Sequence, residues 1–373
     1  MPNRQALLAL LALPVLAALL RTPPNPSRET LIAPADERVV LLGASSGVGK
    51  DLALAYAKRG ARILLVARRA DALQGVADQC AALGLDKARI LTVPADITSV
   101  DDVVRVREAA EKAWGGLDTL HILAGVPSTR TLLQLAGVDL VPDAADKSPK
   151  PRLVPQGLGD DKGLAPTSLP TKEGLENVVK ELRALNEINI VGTVLSLATF
   201  LPLLASSSES PAVHHLSSVS ATIPAPMRCL YSATKAGAYM AFEAARVECE
   251  GAGVRFFSLL PGTIDNEFRT KTAFSQTGGN CEVHKGVKAG LIDKLLLPPQ
   301  KVVDTILQSL ALSPEKAPLI PYPPFSWLTK LRVPPASSVF LPWQYGAATL
   351  LEYTPLGYLF VEPNARKKYG LRP

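Results

Sequence analysis

Cysteine is scarce in this chain. The four residues Cys80, Cys229, Cys249 and Cys281 lie too far apart to frame a disulfide scaffold, which favours a reducing compartment. Histidine is equally scarce, and the adjacent pair His214 and His215 sits beside an apolar run without metal-ligand spacing, so structural histidines and no metal site are expected. No dominating basic block is present: 40 Lys and Arg against 34 Asp and Glu leave a net charge of +6. That surplus suits an anionic ligand or a membrane surface, but finger spacing and aromatic-basic repeats are missing, which excludes a nucleic-acid reading. The N-terminal apolar run, residues 5–20, is short for a bilayer span of roughly 20 residues and is broken by Pro14. No small-residue cleavage site follows it, so a retained hydrophobic membrane anchor over residues 1–21 is favoured over a secretion signal. Arg4 and Arg21 flank the run with nearly balanced charge and leave its orientation open. The Pro-rich residues 22–36 read as a linker, with the folded domain beginning after them.

What the chain does have is apolar content, 47% over 373 residues, enough for a substantial core in one large domain with additions or in two modest ones. The run Arg38 to Leu42 reads as a strand, followed by Gly43-Ala44-Ser45-Ser46-Gly47-Val48-Gly49-Lys50 and a helical pattern. A strand, a glycine turn and a helix N-terminus make a pyrophosphate site: glycine permits close backbone approach, and the free N–H groups favour the anion. The next strand ends in Arg68 and Arg69, where an acid would take the ribose diol of NAD; arginine suits a 2′-phosphate instead, Lys50 adds a further cation, and NADP is favoured. Helix and strand then alternate through Asp96, placed to accept from an adenine amino group, to the strand ending at Gly125, the pattern of a parallel sheet covered on both faces.

From residue 126 to about 173 periodicity vanishes among Pro127, Pro142, Pro149, Pro151, Pro155, Pro166 and Pro170, which predicts a surface insertion. Helical order resumes near Lys172 and contains Asn189, a poor helix former, read either as an exposed or capping residue or as a distortion facing a cleft. A strand then delivers Ser218, and thirteen residues on come Tyr231 and, four later, Lys235. Positions i and i+4 share a helix face, so the phenol and the ammonium converge; a nearby cation favours the tyrosinate, as proton exchange with an alcohol near neutral pH requires. Ser218 is placed to donate to an oxygen on which charge develops. A further strand leads to Pro261-Gly262-Thr263-Ile264, again at the strand ends. The run 300–312 predicts a last helix, and PLIPYPP (318–324) a closing edge strand.

The ordered set GASSGVG, ADI, NIVG, SS, YSATK and PGTI resembles the classical short-chain dehydrogenase/reductase family, more loosely its membrane-associated hydroxysteroid dehydrogenase and ketone reductase members, over residues 37–320 apart from the insertion. The resemblance implies an α/β fold: a Rossmann-like doubly wound parallel sheet in a single three-layer domain, here with an N-terminal hydrophobic segment, an internal insertion and a C-terminal extension over 321–373. It implies an NADP(H)-dependent oxidoreductase acting on a carbonyl or secondary alcohol of a small apolar or lipid-like molecule. By resemblance Asn189, Ser218, Tyr231 and Lys235 form the catalytic set, with Tyr231 the general acid/base and Asn189 in a proton relay. Gly43, Ser45, Ser46, Gly47, Val48 and Gly49 would hold the dinucleotide, Arg68 and Arg69 its 2′-phosphate, and Asp96 and Ile97 its adenine. Ala124, Gly125, Tyr231, Lys235, Pro261, Gly262, Thr263 and Ile264 would complete the cofactor site. Expected partners are the substrate and a membrane, with a homodimer, at a location such as the endoplasmic reticulum. Leu42 and Ile122-Leu123 depart from the family's Thr and Asn-Asn, and Asn266 from its Thr; the lost side-chain bonds leave room for a membrane-bound dinucleotide-binding protein without turnover.

Overall fold

The computed structural model describes residues 27–141, 152–155, 169–266, 268, 296–311, 317–318, 332–333, 337–352, 354 and 361. The apolar run at 5–20 and most of PLIPYPP lie outside them. The Val-Val-Leu-Leu of β1 (Arg38–Leu42) is buried on both faces, as the middle of a parallel sheet requires. The elements α1 (Gly47–Lys58), β2 (Arg62–Ala67), α2 (Ala70–Ala82), β3 (Ile90–Pro94), α3 (Val100–Trp114) and β4 (Thr119–Ile122) continue the alternation. Local chemistry sets the limits of α3. Ser99 accepts from Asp102 N at its start, Asp101 and Asp102 favour its positive end, and Gly115 closes it in the left-handed conformation at φ 68°.

The expected break after Gly125 is partly filled. Residues 126–141 and 152–155 build α4 (Leu132–Leu135), held by a Thr131–Gln134 capping box, and an antiparallel pair of β5 (Val138–Val141) and β6 (Arg152–Pro155). Leu135 packs with Leu185 and Leu230, so this part of the insertion is fastened to the helices behind it rather than loose on the surface. Turn-forming residues hid a four-residue helix too short to show a period. Helix α5 (Lys172–Asn186) then passes through a π-helical turn, Glu187–Val191, into α6 (Gly192–Ser207). This continuous helix is long and apolar enough to cross a bilayer, yet half of its apolar window is buried, with Phe200 and Leu204 in the core.

The chain continues through β7 (Ala212–Leu216), α7 (Cys229–Glu248), β8 (Arg255–Pro261), α8 (Pro299–Leu310), a short antiparallel pair β9 (Ala317–Pro318) and β10 (Arg332–Val333), β11 (Ser338–Leu341) and α9 (Gln344–Glu352). Seven parallel strands stand in the order β11–β8–β7–β4–β1–β2–β3. Helices α1, α2 and α8 cover one face through Leu52, Leu73 and Ile306, and α3, α6 and α7 the other through Val103, Phe200 and Phe242. This is the doubly wound three-layer fold. Its order reverses at β1, which opens a crevice at the carboxyl ends of β1 and β4.

Two boundaries are corrected. The edge strand is Ser338–Leu341, inside the segment read as an extension; it pairs with β8 from Ser258 to Pro261, which the proline-rich 318–324, poor in N–H donors, is ill suited to do. The supposed linker also enters the body. Arg28, 5% exposed, donates to Glu37 Oε1 at 2.7 Å, Ser210 O at 2.6 Å and Asp118 O at 2.9 Å, while its own N–H reaches Ala311 O.

Three histidines are buried in the sheet. Tyr56 Oη meets His121 Nε2 at 2.9 Å, and His121 Nδ1 meets His214 Nδ1 at 3.0 Å, forming a polar chain among apolar side chains. His215 points to the other face beside Phe242, and neither of its ring nitrogens has a protein partner among the described residues. No cluster of metal-ligating side chains occurs among the described residues.

Candidate active site

Backbone packing shapes the floor of the crevice. Gly43, at φ 104°, lies so close to β4's exit that a Cβ there would stand 2.6 Å from Ala124 N, and a Cβ on Gly49 would overlap Gly43 O. Only glycine permits that approach. The apolar departures Leu42 and Ile122 are each 1% exposed within the core, and Leu42 O accepts from both Leu123 N and Ala124 N at 2.9 Å. Main-chain bonds and packing thus brace this junction in place of the missing polar side chains. The fit to a dinucleotide is good: a tight glycine turn opens into α1 at Gly47, at the carboxyl end of the central strand.

The crevice holds about 940 Å³ and is lined at this end by Gly43, Ser45, Ser46, Gly47, Val48 and Gly49. Arg68, 63% exposed on its side chain, stands 3.9 Å from Asp96 Oδ2, and Arg69 Nη2 donates to Ser45 Oγ at 3.3 Å. Asp96 Oδ1 accepts from the N–H and hydroxyl of Thr98, which fixes the turn carrying Ile97. Ala124, Gly125 and Pro261 through Ile264 border the same space. Asn266 lines it too, its Nδ2 facing Gly47 across 3.6 Å from where a Cβ would be.

Ser218, Tyr231 and Lys235 meet in this crevice. Helix α7 places the last two on one face, and the Ser218 hydroxyl accepts from Ser220 N at 3.2 Å, which leaves its own proton to donate outward. Lys235 Nζ donates to Leu216 O at 3.1 Å, and burial lowers its pKa to about 8. Gly125 lies between it and Asn189: a Cβ on Gly125 would sit 3.2 Å from Asn189 Oδ1 and 3.3 Å from Lys235 Nζ. Asn189 is fully buried in the π-helical turn rather than exposed. Its amide accepts from Val126 N and donates to Val126 O and Thr234 Oγ1, so it ties β4's exit to α7 from behind the crevice wall. The distortion is the price of turning that amide inward.

Sequence reasoning missed the far wall, formed by Val126, Pro127, Ile188, Val219, Arg228 and Phe268. The Arg228 guanidinium lies 5.6 Å from the Tyr231 ring centroid, and the Phe268 ring 6.3 Å from it. Arg228 stands three residues before Tyr231, a place at which its proximity was readable; Ile188 lies in the π-helical turn beside Asn189, and the other four belong to loops and short turns without a periodic signal.

Comparison with known proteins agrees with this architecture. The family model for short chain dehydrogenase matches residues 37–141 and 169–276. An 11-beta-hydroxysteroid dehydrogenase A from Arachis hypogaea is 30% identical over 250 residues, 67% of this chain and 58% of that protein, and an 11-beta-hydroxysteroid dehydrogenase-like 3 from Arabidopsis thaliana is 26% identical over 249 residues, 67% and 66%. The chain therefore matches less than two thirds of the length of these relatives. Among solved structures, an alcohol dehydrogenase from Thermococcus sibiricus complexed with 5-hydroxy-NADP superposes with TM-score 0.54 at 18% identity, over 82% of this chain and 95% of that one. A short-chain type dehydrogenase/reductase from Mycobacterium marinum gives 0.52 at 22% identity, over 74% and 90%. With more than half of its residues matched and the fold in agreement, the chain belongs to the short chain dehydrogenase family.

Proposed function

We propose that the protein is an NADP(H)-dependent oxidoreductase interconverting a carbonyl and a secondary alcohol on a small apolar or lipid-like substrate. The observation that carries this reading is the meeting of Ser218, Tyr231 and Lys235 in the crevice that the glycine turn opens. When bound, the reduced nicotinamide would supply the hydride. Tyr231 gives its phenolic proton to the substrate oxygen, which Ser218 holds by donation. The Lys235 ammonium favours the tyrosinate left behind and returns a proton to it, while Asn189 fixes the spacing between β4's exit and α7. Arg68 and Arg69 would take the 2′-phosphate, with Gly43 to Gly49 against the pyrophosphate.

The apolar residues of the far wall, Val126, Pro127, Ile188, Val219 and Phe268, support an apolar substrate body, and the hydroxysteroid dehydrogenase names of the relatives point the same way. The run at residues 5–20 supports membrane association, for instance at the endoplasmic reticulum; a homodimer remains part of the proposal. NADPH oxidation over a panel of ketones tests the whole reading. Tyr231→Phe keeps the packing and removes the moving proton, so turnover should fall by roughly 100-fold or more while NADPH binding holds. Undiminished turnover in a folded Tyr231→Phe variant refutes the chemistry, and NADPH binding without any turnover would favour the non-catalytic alternative.

A further inference from the structure

The substrate end of the crevice carries one charge whose presence the proton chemistry does not require. Arg228 lines it together with Val126, Pro127, Ile188, Val219 and Phe268, a wall otherwise apolar. The carboxylates bordering the crevice, Asp51 and Asp96, belong to α1's first turns and to the turn after β3, at the dinucleotide end. Among the described residues Arg228 has no ion pair and no side-chain hydrogen bond; its guanidinium rests over the Tyr231 ring at 5.6 Å. Local structure does not account for it either. Arg228 is the N-cap of α7, where its side chain makes no capping bond and a cation opposes the helix dipole. The preceding residue, Met227, holds φ 62°, a left-handed conformation that a non-glycine residue adopts at some cost. Two departures from local preference beside the reacting group, offset only by the stacking of Arg228 on the Tyr231 ring, mark a functional position.

Resting on the oxidoreductase reading above, we propose that Arg228 is a specificity-determining residue that pairs with a carboxylate of the substrate, so that the preferred substrates are oxo acids or hydroxy acids with an apolar body. The planar guanidinium offers a two-pronged donor to a carboxylate, while its placement over the tyrosine ring fixes the distance from that carboxylate to the reacting oxygen. The aliphatic and aromatic wall takes the chain between the two groups.

The test uses the full chain with straight-chain oxo acids of graded length, each beside its methyl ester. In NADPH oxidation, one length of acid should exceed its ester in kcat/KM by about 10- to 100-fold, the value of a charge-assisted pair lost. Arg228→Gln should erase that ratio by lowering kcat/KM for the acid far more than for its ester, and Arg228→Lys should restore part of it. Equal use of acid and ester by the wild type overturns the proposal. So does an Arg228→Gln variant that slows both alike with a shifted pH profile, since the residue would then act on Tyr231 and not on substrate. Titration of NADP⁺-loaded Tyr231→Phe protein with the same acids and esters reads the preference without turnover. Acid preference there with undiminished Tyr231→Phe turnover sinks the acid/base reading and spares this one; its absence sinks this one alone.

Discussion

Lowering the pH from 7.5 to about 5 should destabilise the fold through its three sheet histidines before most carboxylates titrate. Burial holds all three neutral: it depresses His214 to about 3 and pushes His121 and His215 well below the ordinary 6.5, with His214 and Arg28 adding to the effect at His121 and Lys235 and His214 at His215. A folded-state pKa below the unfolded one means that the unfolded chain binds more protons between the two values. Stability is therefore full above pH 6.5 and falls as the pH drops beneath it, by about 1.4 kcal/mol per pH unit for each histidine. At pH 5 that is roughly 2 kcal/mol each and roughly 6 kcal/mol for the three, a large share of a typical domain's 5–15 kcal/mol. Urea unfolding at several pH values measures it. His215→Leu isolates one contribution, because both ring nitrogens lack a protein partner among the described residues and an apolar replacement strands nothing. That variant should be at least as stable as the wild type at pH 7.5 and should lose about a third of the acid sensitivity. A urea midpoint indifferent to pH between 7.5 and 5 would refute the buried, neutral state of these rings.

Removing the Arg68 charge, as in Arg68→Gln, should weaken NADPH much more than NADH, since only the former carries the 2′-phosphate; equal losses in a fluorescence titration would reduce the residue to general positioning. Gly49→Ala drives a methyl group into Gly43 O, so it should cost about 1–3 kcal/mol of stability and abolish dinucleotide binding; an unaltered NADPH titration contradicts the close approach. Arg28→Ala leaves the buried Glu37 carboxylate with only Thr119 Oγ1 at 2.6 Å and Arg59 Nη2 at 3.8 Å and frees two buried carbonyls, so it should cost about 3 kcal/mol by urea unfolding. Deleting residues 1–24 should release the protein from membranes in a flotation assay with the fold intact, whereas deleting residues 1–36 also removes Arg28 and should unfold it; retention on membranes after the shorter deletion would exclude residues 1–24 as the principal anchor.

The crevice was legible because its chemistry is local. Glycines that the backbone requires at Gly43 and Gly49, and a phenol and an ammonium one helical turn apart, carry their meaning within a few residues. Asn189 was half legible: its poor helix propensity signalled a distortion, but its partners Val126 and Thr234 come from distant elements. Leu42 and Ile122 looked like lost hydrogen bonds because sequence displays side chains, while the bracing at Leu42 O is made by main chain. Arg28 was hidden for a related reason. One arginine in a proline-rich stretch has no periodicity, and Glu37, Asp118, Ser210 and Ala311 are brought to it only by folding.

The pairing of β11 with β8 sets an order of events during synthesis. Strand β8 leaves the ribosome with its inner neighbour β7 already made, but its outer row of N–H and C=O groups waits until Ser338–Leu341 has been translated. Through that interval the nascent sheet presents an open, largely apolar edge strand, the form most prone to pair with another chain. The protection of β8 against intermolecular pairing is thus delivered late, by residues far along the chain from those that line the crevice.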